Sequence, residues 1–242
     1  MIAKVVMILF QTYLFYLTTI PPESIKPKPS QTYKVEGISG LLLIYLGQYI
    51  ARLANICLSL FYIFLMYQQE IGNLPIPTSS YLRETSYWNF FYELFKPHKL
   101  SEWNLEYIIL CFMTILGTML RLWCFKIMKE FFTFTIEIKR NHKLVTTGPY
   151  RLLIHPSYTG IFLSLPINIY MIDQIQPYVH LYFPYFINYI LYNEWIRIIG
   201  YVFAIWMFWN RVRTEERMLK NHFKKEWDDY TSRRKRFIPW IF

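Results

Sequence analysis

Between Leu105 and Phe125 the only charged residues are Glu106 and Arg121, and an apolar stretch of that length has few folded solutions. An α-helix rises 1.5 Å per residue, so about twenty apolar residues match the roughly 30 Å hydrocarbon core of a bilayer. The stretch is not isolated. Further apolar runs extend over Val5–Ile20, Ile38–Tyr67, Ser157–Ile172, Pro177–Tyr192 and Ile196–Trp209. Of 242 residues, 54% are hydrophobic, 20% are aromatic and only 17% are charged, more apolar surface than a soluble domain of this size readily buries. The runs predict an all-α integral membrane protein, a bundle of about five or six transmembrane helices. The first run, preceded by Lys4 and followed by Pro21-Pro22, reads as a retained membrane helix, since no small-x-small cleavage site precedes the prolines. The region Ile38–Tyr67, interrupted by Gln48 and Arg52, predicts a kinked helix or two short elements. Arg52 is expected against protein or headgroups, because a guanidinium facing lipid is costly.

The formal net charge is +10, but its placement argues against nucleic acid. The positive residues flank apolar runs or sit in the tail, as in Arg233-Arg234-Lys235-Arg236, which suits the anionic face of a lipid bilayer. Cys57, Cys111 and Cys124 form no CxxC pair. The five histidines have no ligand spacing, so neither a disulfide framework nor a metal site is expected. Residues 68–104 read as a long loop carrying the aromatic cluster Trp88, Phe90, Phe91 and Tyr92, which suits an interfacial anchor. From Arg213 to Tyr230, Met218, Leu219, Phe223 and Trp227 recur at helical spacing among charges, predicting an amphipathic C-terminal helix.

Two polar clusters flank the last apolar runs. The first is His142-Lys-Leu-Val-Thr-Thr-Gly-Pro-Tyr150, followed by Ile154-His-Pro-Ser-Tyr-Thr-Gly160. The second is Arg211-Val-Arg-Thr-Glu-Glu216, followed by Phe223-Lys-Lys-Glu-Trp-Asp-Asp-Tyr230. Polar groups this close to membrane segments are costly unless they line a water-accessible cavity or meet a ligand. Gly148-Pro149 reads as a turn, and Pro156 fits the first turn of a helix, where its missing N–H costs nothing. Each residue also has a purely structural reading: Tyr150 and Tyr158 as interface anchors, His155 as a helix-entry residue, Glu215 and Glu216 as helix-dipole partners, and Arg211 as a snorkelling side chain.

In their order and spacing these clusters resemble the isoprenylcysteine carboxyl methyltransferase family, whose pattern runs H-x-L-V-x-x-G-x-Y, R-H-P-x-Y-x-G, R-x-R-x-E-E and F-G-x-x-Y-x-x-Y. The likeness covers Phe131–Gly160 and Asn210–Pro239. It implies S-adenosyl-L-methionine as methyl donor, held in a cytosolic pocket, and prenylated protein C-termini as partners. It also divides the chain into N-terminal membrane helices with a connecting loop (1–130) and a catalytic region (131–242). By the resemblance, His142, Lys143, Leu144 and Val145 contact the donor, joined by Tyr150, His155, Pro156, Ser157, Tyr158 and the carboxylate of Glu215. Glu137 is a further polar contact upstream, and Arg211 is the catalytic and substrate-binding cation. The family's Arg before His-Pro is Ile154 here, with Arg151 three positions earlier as a candidate replacement. The family's Gly and Tyr downstream are Lys224 and Trp227.

The expected reaction is methylation of a C-terminal prenylcysteine carboxylate, in the endoplasmic reticulum membrane with the site facing the cytosol. Such an acceptor is already ionised near neutral pH and needs no general base. Two other readings stay open. A lipid-amine methyltransferase would need a base to remove a proton, and a non-catalytic membrane scaffold is favoured by Ile154.

Overall fold

The computed structural model describes residues 1–20, 32–34, 38–74, 99–134, 136–139 and 142–238. The aromatic cluster of residues 88–92 lies outside them. The elements are helices α1 (Ile2–Thr19), α2 (Ile38–Glu70), α3 (Leu105–Met128), α4 (Pro156–Ser164), α5 (Pro166–Tyr182), α6 (Tyr185–Tyr192), α7 (Glu194–Phe223) and α8 (Lys225–Ser232). Two short 3-10 turns lie at Lys129–Phe131 and Gly148–Arg151. Three-residue strands β1 (Thr32–Lys34) and β2 (Glu137–Lys139) pair antiparallel, Tyr33 opposite Ile138. The rest of the described chain is helix and connections.

Three helices are long and apolar enough to cross a membrane: α1, α2 from Tyr45 to Glu70, and α3 with its 3-10 extension to Phe131. Their outward faces carry large apolar side chains exposed in the isolated chain, among them Val6, Leu60 and Phe112, as lipid contact requires. The protein is therefore an integral membrane protein, with three such spans among the described residues.

Periodicity explains which faces turn inward. On α1 the buried residues are Lys4, Ile8, Gln11, Leu14 and Thr18, steps of three and four that define one stripe. Helix α3 starts where the Asn104 carboxamide accepts the Tyr107 backbone N–H at 2.8 Å, a helix N-cap. Its inward stripe brings Gly117 against Gly160 of α4. A Cβ on Gly117 would lie 2.5 Å from the Gly160 carbonyl oxygen, and one on Gly160 would lie 2.6 Å from the Gly117 carbonyl. Backbone approach this close is open only to glycine, as in small-residue contacts between membrane helices.

Several expected boundaries move. Residues 38–70 form one continuous helix rather than two elements. Arg52 lies half-buried with Nε donating to the Gln48 carbonyl at 3.2 Å, so the guanidinium extends along its own helix instead of ending it. The apolar run from Ser157 to Ile172 divides between α4 and α5, with Pro166 opening the second helix because it cannot continue the first. Pro177, expected to begin a new element, lies inside α5. The run Ile196–Trp209 and the first part of the amphipathic segment, as far as Phe223, are one helix, α7, and Trp227 and Tyr230 fall in α8. No Gly or Pro occurs from Tyr201 to Phe223, so the helix continues while its surroundings change from apolar to charged. The break comes at Lys224, where φ is +49°.

Candidate active site

The segment 142–160 enters the site through two local devices. Gly148 has φ +59°, a conformation that glycine adopts without strain, and it turns the chain into the 3-10 turn carrying Tyr150. Pro156 then occupies the first turn of α4 with His155 as N-cap, as its missing N–H allows.

The tail is fastened over this segment. The Ile154 N–H donates to the Lys235 carbonyl at 2.8 Å, and the His155 N–H donates to the Arg236 carbonyl at 3.0 Å. The Thr159 hydroxyl donates to the Phe237 carbonyl at 2.8 Å. The Tyr230 hydroxyl lies 3.2 Å from the carbonyls of both Tyr150 and Leu153, and Arg234 Nε donates to the Tyr150 carbonyl at 2.9 Å. This clamp brings the polar C-terminal half of α7 beside the N-terminus of α4.

Four expected site residues converge there. The Tyr158 hydroxyl donates to Glu215 Oε2 at 2.7 Å and accepts from Arg211 Nε at 3.1 Å. A second Arg211 nitrogen donates to the Phe134 carbonyl. His155, 4% exposed, sits between two carboxylates: Nδ1 lies 3.8 Å from Glu215 Oε1, and Nε2 lies 3.2 Å from Glu216 Oε1. Glu216 is gripped from its other side by Arg236, Nε at 2.8 Å and Nη2 at 3.2 Å. Burial alone would push the Glu216 pKa up, but hydrogen bonds from His155 and Arg236 outweigh it and hold the carboxyl at about 2. Arg236 is correspondingly raised by its bond to Glu216.

The two carboxylates thus differ in their partners. Glu216 is neutralised by a two-pronged arginine contact, a strong and geometrically specific pairing. Glu215 is held by a phenol and faces an imidazole, and among the described residues no Lys or Arg makes an ion pair with it. Its half-buried anion can therefore take up a ligand cation, such as an ammonium or a sulfonium.

An aromatic and aliphatic wall adjoins these groups. His142 stacks on Phe131, with ring centres 4.9 Å apart, and meets the edge of Phe223 at 5.8 Å. Leu144, Leu219 and Phe223 pack against Ile154, Trp227 and Tyr230. Apolar and aromatic surface beside an unneutralised carboxylate is what an adenosyl group bearing a cationic end requires, so the donor set fits S-adenosylmethionine in kind.

The other expected site residues have partners or surroundings of their own. The Tyr150 ring is buried and its hydroxyl meets the Cys124 thiol on α3, while its carbonyl anchors the tail. Ser157 Oγ accepts from Arg121 Nη1 at 2.7 Å, and Pro156 is fully buried at the helix start. Lys143 is exposed, Val145 is half-buried, and Glu137 contributes its backbone to β2; its side chain lies outside the described set. Arg151, the candidate replacement for the family's arginine, is exposed. The Arg236 guanidinium in the tail bonds Glu216, which in turn contacts His155, while Ile154 packs against Trp227 and Tyr230.

Two supporting residues escaped the motif reading. Arg236 falls in a basic tail that reads as surface charge, and only its separation from Glu216 by one turn-back of the chain could have suggested the pair. Arg121 reads as an arginine near a membrane end. In the structure it is buried, with Nε donating to the Thr18 carbonyl at 3.0 Å. Its guanidinium lies among Phe125, Phe132 and Phe134, 5.1–5.8 Å from their ring centres, so it joins the end of α1 and the start of α4.

Comparison with known proteins finds sequence similarity over part of the chain. The isoprenylcysteine carboxyl methyltransferase family matches residues 108–197, a span that includes α3, the 142–160 segment and α4 but stops before Arg211. Protein-S-isoprenylcysteine O-methyltransferase B of Arabidopsis thaliana is 30% identical over 132 residues, 53% of this chain and 57% of that protein. A probable protein-S-isoprenylcysteine O-methyltransferase of Oryza sativa subsp. indica is 26% identical over 148 residues, 60% of this chain and 66% of its own length. The matched region is thus less than two thirds of either relative. Residues 108–197 are thus similar to the isoprenylcysteine carboxyl methyltransferase family.

Proposed function

We propose that the protein methylates the C-terminal carboxylate of prenylated proteins with S-adenosylmethionine as donor, at the cluster formed by His155, Tyr158, Arg211 and Glu215. The observation that carries this reading is the convergence of these four side chains, from segments more than fifty residues apart, at the end of an apolar bundle. The names of the Arabidopsis and rice relatives support the substrate class.

When bound, S-adenosylmethionine supplies a methyl carbon made electrophilic by its sulfonium. The residues that would hold it are Glu215 at the cationic end and His142, Leu144, Leu219 and Phe223 along the apolar end, with Tyr158 fixing the Glu215 carboxylate. Arg211 then has a defined task. It carries the positive charge of the cluster beside Tyr158, where it orients an incoming carboxylate toward the donor. No residue has to remove a proton, because the acceptor is an anion near neutral pH. Alignment of two reactants can supply roughly 7–11 kcal/mol in favourable intramolecular cases, so positioning is the main contribution asked of the protein. Reaction at the bilayer edge, on the cytosolic face of the endoplasmic reticulum, leaves the prenyl chain among the helices. A count of five, within the expected five or six, is reached if α4 with α5 and the first half of α7 also cross the membrane. Residues 131–242 act as the catalytic region.

The test offers one purified protein two acceptors in vesicles, N-acetyl-farnesylcysteine and phosphatidylethanolamine, with donor labelled in the methyl group. The reading expects base-labile label in the farnesylcysteine fraction. Label confined to phospholipid would transfer the site to amine methylation, and label in neither fraction from folded protein would favour a non-catalytic role.

A further inference from the structure

The face of α7 next to the one that carries Arg211 and Glu215 lines a second hollow. A cavity of about 800 Å³ lies between the polar half of α7, helix α8 and residues 234–236. Its lining includes six cations (Arg213, Arg217, Lys220, Arg234, Lys235 and Arg236) against two carboxylates, Glu216 and Asp228. Two of the cations are already paired, Arg236 with Glu216 at 2.8 Å and Lys220 with Asp228 at 3.0 Å. The other four make no ion pair with a carboxylate among the described residues. A hollow with this balance attracts an anion.

The chemistry along the same helix face says which anion. Ile198, Val202, Ile205 or Trp206, Trp209, Arg213 and Arg217 follow one another at steps of three to four, so they share one stripe of α7. Ile198, Val202, Ile205 and Trp206 are exposed, between 41% and 67%. Trp209 comes next, with the Arg213 guanidinium 5.3 Å from its ring centre and that of Arg236 at 5.9 Å. The exposed cations Arg213 and Arg217 follow. Apolar, then aromatic, then cationic is the order met by a phospholipid lying along a helix: acyl chain, interfacial region, headgroup phosphate. The scale agrees. From Ile198 to Trp209 the helix rises about 16 Å, close to half of the roughly 30 Å hydrocarbon core.

We propose that this cavity binds the headgroup of an anionic phospholipid, its phosphate held by Arg213, Arg217 and Lys235 and its acyl chains lying along the Ile198–Trp206 face. The cavity borders the methyl-transfer cluster through Glu216 and Arg236, but Arg213, Arg217 and Lys235 make no side-chain hydrogen bond or ion pair with His155, Tyr158, Arg211 or Glu215 among the described residues, so the proposal stands whether or not that reading holds.

Native mass spectrometry of the full chain, released from detergent micelles and titrated with phosphatidylglycerol or phosphatidylcholine, tests the proposal. The wild type is expected to bind the first phosphatidylglycerol at least tenfold more tightly than phosphatidylcholine. R213E/R217E is expected to reduce that ratio to within twofold, and if it fails to fold, the milder R217Q/K235Q should still lower the ratio several-fold. Glycerol 3-phosphate at the same concentration should not displace the lipid. Equal affinity for the two lipids, a preference unchanged in folded variants, or displacement by glycerol 3-phosphate would each overturn the proposal; the last would make the cavity a soluble phosphate site.

Discussion

Two regions of this protein bury polar side chains among apolar helices, and they do so differently. In the N-terminal bundle the buried polar groups are mostly neutral and several pair across helices: Asn55 donates to Asn168 at 2.6 Å, Thr12 to Ser59 at 2.7 Å, and Gln11 to the Cys111 sulfur at 2.9 Å. The cation Lys4 is closed off by the Glu102 carbonyl at 2.6 Å and the Tyr107 ring at 4.3 Å. At the α4–α7 junction the groups are charged, and among the described residues one carboxylate is paired with an arginine while the other is not. Neutral pairs hold helices together. An anion with no Lys or Arg partner among the described residues, in a place where charge is expensive, keeps a position for something that binds.

If the contrast is right, mutations of close-packed or paired groups should affect stability, and mutations of Arg211 and Glu215 should affect chemistry. The largest effect is expected from G117V at the α3–α4 contact, where a Cβ already meets the Gly160 carbonyl at 2.5 Å. Overpacking of this kind should cost about 3 kcal/mol, read by denaturant titration in micelles as a large fall in the midpoint. R211A should be its mirror image. Loss of an orienting charge should lower kcat for farnesylcysteine methylation about 100-fold, equivalent to about 2.7 kcal/mol, while Tm drops by only a few degrees.

E216Q sharpens the comparison within the junction. The folded Glu216 pKa is depressed, so its ion pair adds stability above the ordinary value of 4.5, and that contribution is lost as pH falls toward about 2. The wild type should therefore exceed E216Q by about 2 kcal/mol at pH 6. The gap should close progressively between pH 4.5 and 2 in acid-unfolding curves. A gap independent of pH would remove the carboxylate from the argument. The smallest effect belongs to N55A, which breaks one neutral interhelical hydrogen bond worth about 0.6 kcal/mol. Methyl transfer should be unchanged in that variant, and a drop in turnover would blur the distinction between the regions.

How much of this was legible in the sequence depended on whether the signal was local. The α3 span, the turn at Gly148-Pro149 and the first-turn position of Pro156 follow from rules acting over a few residues, and they appear where expected. So does the gathering of His155, Tyr158, Arg211 and Glu215, because the order of motifs encodes it. Continuity was harder. Arg52 looks like an interruption, yet its stem runs along α2 and its Nε reaches a carbonyl of the same helix. The change of composition after Trp209 suggests a boundary, but composition reports the surroundings of a helix and not its ends. Tertiary pairings were beyond reach. Arg236 beside Glu216, Arg121 on Ser157 and the turning of Tyr150 toward Cys124 depend on how the tail folds back and how closely two glycines let α3 and α4 approach.

The most direct test of the central claim is equilibrium binding of S-adenosylmethionine to purified wild type and E215Q in nanodiscs. Removal of the uncompensated carboxylate should weaken donor affinity at least tenfold while the melting temperature stays close to that of the wild type. Equal donor affinity in the two folded proteins, or no binding by the wild type, would contradict the assignment of this junction as the donor site.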